Sequence, residues 1–375
     1  MSGLRRVAVV LLIAAAVIVW GASFEVAEVQ RRAIVLGLGI DLDENDGSTY
    51  VLTAEVVSPG NGGEQVGIFS KTVTSGGKSV GEAIAELGEK TGKQPSLGQC
   101  GVLVLGRSLF AGKDFSDVLE YFVKSDSFKE NAIVCCTDNA AELMNKSEAL
   151  SQSVSLALAE ALNENSKKVA IPSNTLLKYA RSQAELTKTG FLNLVRFVPS
   201  DNVDPDAPDK ETGYFFYDRM AIFRANKLVC ELSDDDINGF AALTESVVGD
   251  TVTVVDDGKT YAVRVNAKSV DYNLTDGVCE VTISLQVKLG RADSSDVGGV
   301  FSAQTDKQIS DEMLEAMRKE IAESVALFVR RQSEDDFDLV ELHDLLRRRD
   351  GSSEELNAMP TADIPVQVTV KVAEK

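Results

Sequence analysis

The sequence predicts an α+β protein with an N-terminal membrane anchor, followed by two or three mixed α/β domains whose sheets are largely antiparallel. Three observations carry this expectation. Residues 7–24 contain no charged side chain. Beyond them, stretches of apolar/polar alternation are interleaved with stretches whose apolar residues recur every three or four positions. The chain of 375 residues also exceeds the roughly 250 residues at which single cores tend to split.

As a helix, residues 7–24 would rise about 27 Å against a hydrocarbon core of about 30 Å. Arg5 and Arg6 precede the segment and Glu25 follows it, which places the N-terminus inside and the bulk of the chain outside. A cleaved signal peptide is the competing reading, because Gly21, Ala22 and Ser23 are small enough for a peptidase.

Residues 33–40 and 48–57 read as two strands. In the second, Tyr50, Leu52, Ala54 and Val56 share one face. Ser79 and Glu82 form a capping box that opens a helix to about residue 88. Strands are expected at 100–105 and 132–136, with helices at 115–124, 139–145, 151–166 and 173–182, then a strand at 191–198. The stretch "PSDNVDPDAPDKETG" holds three prolines and four aspartates and reads as a linker. The expected units are therefore an anchor at 1–24, an N-terminal α+β region at 25–198 with a further split near 146, a linker at 199–213, and a C-terminal α+β domain at 214–375.

In that last unit, 220–223 and 227–231 straddle Arg224 to Asn226 as a hairpin. Ser233 and Asp236 cap a helix reaching about 246, and strands are expected at 261–267, 278–289 and 366–372. A long helix capped by residues 305–308 carries the stripe Ile309, Met313, Met317, Ile321, Val325 and Phe328, a spacing that marks a core-facing side.

Chemistry is sparse. "GLGIDLDENDG", from Gly37 to Gly47, starts like a phosphate loop, but the sixth position of GxGxxG is Leu42 and strand follows. As a calcium loop from Asp41 it has Asp46 where Gly is needed and Leu52 where the bidentate Glu belongs. The turn of a β-hairpin is the simplest reading. The five cysteines form no CxxC, and the single histidine, His343, stands beside Asp344 and is expected to be exposed on a charged helix. No catalytic, cofactor-binding or metal site is expected, and no cofactor. A net charge of −20 removes any broad electrostatic basis for binding nucleic acid.

Several segments resemble the Ger(x)C family, the C-subunits of bacterial spore nutrient-germinant receptors. "RRAIVLGLGID" is similar to the family's strand ending in "GIGID", and Glu28 with Val29 matches its Glu-Ile step. Residues 101–144 look like its central strand, helix and strand block, with Lys124 to Asp126 at the Arg-Asp-like pair. Residues 220–246 resemble "AVFKxDKLVGxL…GxxxLTG", and "DLVELHDLLRR", from Asp338 to Arg348, sits where the family has its "ADIFGFG"-like helix.

The resemblance implies a non-enzymatic, membrane-tethered subunit with its bulk outside the cytoplasm, in the spore inner membrane or cell membrane, assembled with an A-type and a B-type membrane subunit. The family's lipidated cysteine falls on Ser23, which lacks the thiol that diacylglyceryl transfer needs, so the helix of residues 7–24 would serve as the anchor. An extracytoplasmic module binding a small molecule or cell-wall glycan is the alternative; the single tryptophan, Trp20, lies inside the anchor and so outside any such groove.

Overall fold

The computed structural model describes residues 31–58, 70–111, 114–146, 150, 153–168, 173–200, 212–244, 251–256, 259–275, 278–289, 309–344 and 365–374. The expected anchor at 1–24 lies outside them. Among the described residues no helix is long and apolar enough to cross a membrane.

Fourteen strands are described in two sheets. The first contains β1 (Arg32–Leu42), β2 (Tyr50–Val57), β3 (Ser70–Gly77), β4 (Gln94–Ser96), β5 (Val102–Gly106), β6 (Ile133–Thr137), β7 (Asn174–Thr175), β8 (Thr189–Pro199), β9 (Gly213–Arg224) and β10 (Lys227–Leu232). Its order is β10-β9-β8-β6-β5-β1-β2-β3, with β4 beside β1 and β7 beside β6. The centre, β8-β6-β5-β1, is parallel, and the flanks are antiparallel hairpins.

The second sheet, in order, is β11 (Thr251–Asp256), β12 (Lys259–Thr275), β13 (Val278–Leu289) and β14 (Val366–Glu374). β14 joins β13 in parallel, while the other pairings are antiparallel.

Eight helices complete the described elements: α1 (Val80–Thr91), α2 (Arg107–Phe110), α3 (Ser116–Val123), α4 (Ala140–Met144), α5 (Val154–Lys168), α6 (Leu176–Ala184), α7 (Asp234–Leu243) and α8 (Asp311–Glu334). Helix α1 begins as the capping residues require, with Ser79 accepting from the Glu82 amide. It runs past Gly88 to end at Gly92, whose φ of 63° makes it the left-handed residue that closes the helix.

Several expectations change. The cap of α8 is Ser310, which accepts from the Met313 amide; residues 305–308 lie outside the described set. β3, "SKTVTSGG", is too polar to be recognised as a strand, yet pairs along its whole length with β2. The stretch 199–213 connects two strands of one sheet, because β8 and β9 pair from Thr189 with Arg224 to Pro199 with Gly213. β9 and β10 therefore complete the first sheet, although they follow the expected linker.

A bulge between Val35 and Gly37 shifts the parity of β1. Ala33, Val35, Leu38 and Ile40 consequently share one face with Leu52, Ala54 and Val56 of β2 and Leu103 and Leu105 of β5, under α1, α3 and α6. The other face presents Val102, Val104, Ile133, Cys135, Met220 and Ile222 to α4, α5 and α7. That core continues without interruption into α8 and the inner face of the second sheet.

Met317 is fully buried in this shared core. Met317→Asp removes packing and places a carboxyl among apolar side chains, so a loss of roughly 3–5 kcal/mol is expected. A urea denaturation midpoint unchanged from wild type would contradict the position of α8.

Candidate functional site

The bulge that turns Leu38 and Ile40 to one face turns Gly37, Gly39 and Asp41 to the other. Partners across the ladder follow, so Glu55 lies opposite Gly37 and Thr53 opposite Gly39. Two helices rest on this floor. A Cβ on Gly37 would stand 2.1 Å from Ser155 Oγ, and one on Gly39 would stand 2.9 Å from Met144 and 3.1 Å from the Ala140 carbonyl oxygen. Both glycines are there because α5 and α4 approach the strand more closely than a methyl group allows.

Beside each glycine stands an acid that receives the start of the helix above it. Asp41 accepts from the amides of Ala140 at 3.1 Å and Ala141 at 2.9 Å, and the Asn139 side chain accepts from Glu142 at 2.8 Å. Glu55 accepts from the amides of Val154 at 3.1 Å and Ser155 at 2.8 Å and from the Ser70 hydroxyl. These amides are the ones a helix cannot satisfy internally, and a carboxylate supplies both acceptors and charge of the favourable sign. At its other end α4 is tied to β3, with Thr72 Oγ1 donating to the Asn145 side chain at 2.6 Å. Glu55 is wholly buried and Asp41 nearly so.

Above Asp41 opens a concavity of about 260 Å³, lined by Asp43, Glu44, Asn45, Ser108, Asp138 and Asn139 among others. Its acids are largely engaged by their own surroundings. Asp43 accepts from the Asn45 amide at 2.8 Å. Asp46, which is not part of the lining, accepts from the Ser48 and Thr49 amides and the Thr49 hydroxyl, and the Thr49 hydroxyl, first among these, draws its carboxyl down to about 2. Gly47 takes a φ of 59°. The stretch is thus the turn between β1 and β2, as expected. Across the concavity Asp138 pairs with Arg107 at 2.6 Å, Arg107 with Glu231 at 2.6 Å, and Glu231 with Arg219 at 3.1 Å, linking α2 to β10 and β9.

The histidine differs from its expected exposure. His343 is buried, with Nδ1 2.8 Å from Asp338 Oδ2. Asp338 also accepts from the amides of Leu342 and His343 at 2.9 and 3.0 Å, and its own amide donates to Thr189 Oγ1 at 3.4 Å. Arg224 pairs with Asp336 nearby. The segment after α8 is therefore folded on itself by Asp338 and clasped to β8 and β9. The His343 ring thus pairs with the acid five residues before it.

Cys100, Cys135, Cys136 and Cys279 are buried, Cys230 is half-buried, and all five are free thiols. Burial pushes Cys100, Cys135 and Cys230 up to about 12, so they act as small apolar side chains rather than nucleophiles. Among the described residues no three His, Cys, Asp or Glu side chains are grouped to hold a metal ion. Asp41 and Glu55 went unrecognised in the sequence. The available signal was the alternation of β2: with Leu52, Ala54 and Val56 on one buried face, Glu55 must point to the other.

Fold and site together define a two-sheet α/β protein whose buried acids hold its own helices in place. The family model described as spore germination protein N-terminal domain matches residues 25–196, and that described as spore germination B3/GerAC like, C-terminal, matches residues 218–374. The chain belongs to this Ger(x)C family of spore germination proteins. The crystal structure of the GerBC protein shares the fold, with a TM-score of 0.52 and 16% identity over 90% of this chain and 96% of that one. No curated protein matches the chain. The first family model ends within β8, at residue 196, and the second begins within β9, at residue 218, although these two strands pair in one sheet.

Burial raises the Asp41 carboxyl above its ordinary 3.8, outweighing the two amide donors that pull it down. The folded protein therefore holds this proton more tightly than the unfolded chain does. Stability from this group falls as pH rises through the raised pKa and is recovered as pH drops. Asp41→Asn, which fixes the neutral form, is expected to cost less stability near about pH 7 than near about pH 3. Urea midpoints at the two pH values check this; a larger cost at neutral pH would mean that the amide bonds outweigh burial.

Proposed function

We propose that this chain is the membrane-tethered, extracytoplasmic subunit of a spore germinant receptor, assembling with a membrane-embedded A-type subunit and a transporter-like B-type subunit. The observation that carries the reading is the match of both family models, in order, along residues 25–196 and 218–374. The site is consistent with a non-enzymatic role, since Asp41, Glu55 and Asp338 each spend their carboxylate oxygens on backbone amides of the fold. A carboxylate so engaged has little capacity left for proton transfer to a substrate.

Tethering is assigned to residues 7–24, uncharged and long enough to span, with Arg5 and Arg6 on the inner side. Ser23 offers no thiol for lipid attachment, so the anchor is peptide rather than acyl chain. A spanning helix holds a protein more firmly than one lipid chain.

Affinity purification of the full-length chain from detergent-solubilised spore membranes is the test. The expected result is co-purification of one large multi-span subunit and one transporter-like subunit, with an intact N-terminus lacking a diacylglyceryl mass. Recovery of the chain alone from the soluble fraction would overturn the reading.

A further inference from the structure

We infer that β14, the outer strand of the second sheet, pairs edge to edge with β14 of a second copy of this chain, so that the two second sheets become one. β14 bonds β13 along its whole length, in parallel and without a bulge, from Val366 beside Cys279 to Glu374 beside Val287. Cys279 donates its amide to the Pro365 carbonyl at 2.8 Å, so the odd-numbered residues of β14 turn their amides and carbonyls to β13 and the even-numbered ones turn theirs away. At Val372 the outward carbonyl accepts from Arg318 Nη2 at 3.2 Å. The outward groups of Val366, Val368 and Val370 meet no partner among the described residues.

The other strand edges are blunted, which is how a sheet avoids joining another. On β3, Glu86 accepts from the Gly76 amide and Lys90 Nζ donates to the Thr74 carbonyl at 2.9 Å. β10 is bulged between Leu228 and Cys230 and bridged at Lys227 to Asp114. β11 is six residues long. β12 runs on past it, but is bulged between Val265 and Ala267, and its Lys268 and Tyr272 side chains donate to the Ala241 and Leu243 carbonyls of α7. β14 is left as a nine-residue edge of regular register, with four valines on its inner face and the exposed Gln367, Thr369 and Lys371 on the other.

Charge and symmetry select a second copy as the occupant. Between copies of a chain with a net charge of −20, contact is least opposed where acids are absent. From Val366 to Ala373 the only charged side chain is Lys371. Glu374 beyond it accepts from the Ile309 amide at 3.2 Å, and on β13 Glu280, beside Gln367, is followed on that face by Thr282, Ser284 and Gln286. The Arg318 cap closes the free stretch at Val370, so an antiparallel pair is centred on Val368. Val368 then faces itself, Val366 faces Val370 and Gln367 faces Thr369. Valine meets valine, no two like charges are opposed, and the pairing is two-fold, the symmetry of a closed dimer.

The test is sedimentation of the full-length chain in detergent micelles over a concentration series, in which the mass should rise from monomer to dimer. Val368→Pro removes an amide that points away from β13 and leaves that ladder whole. Because residue 368 faces itself, two hydrogen bonds are lost, and the midpoint should move to roughly tenfold higher concentration or beyond. Gln367→Glu with Thr369→Glu places like charges opposite each other and should abolish the dimer, whereas Gln367→Glu with Thr369→Lys places opposite charges there and should preserve it. Both positions are exposed, so these pairs read the edge even should Val368→Pro fail to fold. A wild-type mass that stays monomeric to the top of the series, whether the edge is idle or takes a strand of a different protein, would overturn the proposal. A dimer indifferent to all three changes would also overturn it, by placing the contact elsewhere, as in residues 7–24.

Discussion

Two carboxylates, Asp41 on β1 and Glu55 on β2, decide where α4 and α5, two of the three helices on one face of the first sheet, can lie. Each accepts two amides from the first turn of a helix about a hundred residues away, and each sits beside a glycine that lets the same helix reach the strand. Without the acids, four helix-end amides would be buried without acceptors, at roughly 1–3 kcal/mol each. Without the glycines, the helices would have to lift, and the acids would no longer reach the amides. The two devices are therefore interdependent, and both follow from the bulge at the start of β1 that puts Gly37, Gly39 and Asp41 on the inner side.

The position of α5 has consequences beyond that face. With α4 and α7 it closes the core that runs on through Met220 and Ile222 to α8 and the second sheet. The clasp of Asp338 on Thr189 and of Arg224 on Asp336 holds the end of α8 against β8 and β9. The chain's two halves are thus joined by a shared sheet, a shared core and a polar clasp.

The sequence made local structure legible where one segment decided its own form. Ser79 with Glu82 and Ser233 with Asp236 open helices as their spacing indicates, and the Asp43 to Gly47 turn follows from its residues. It was least legible where the deciding partner is distant. "PSDNVDPDAPDKETG" has linker composition, but the strands on either side of it pair with each other because Phe215, Tyr217, Leu192 and Leu194 have faces to bury. β3 lacks apolar alternation and is a strand only because β2 offers it a ladder. Asp41, Glu55 and His343 looked like solvated polar residues, since their amide or carboxylate partners are set by the fold rather than by spacing.

The central claim is that these carboxylates hold the helix starts as part of the global fold, and native-state hydrogen exchange of the amides of Ala141 and Ser155 tests it most directly. In the wild-type chain both should exchange only with global unfolding, at the free energy of the slowest core strands, and Glu55→Gln should open Ser155 to local exchange, speeding it by more than the accompanying loss of global stability speeds Ala141. Exchange of both amides at the rate of a frayed, solvent-exposed helix end in the wild-type chain would contradict it.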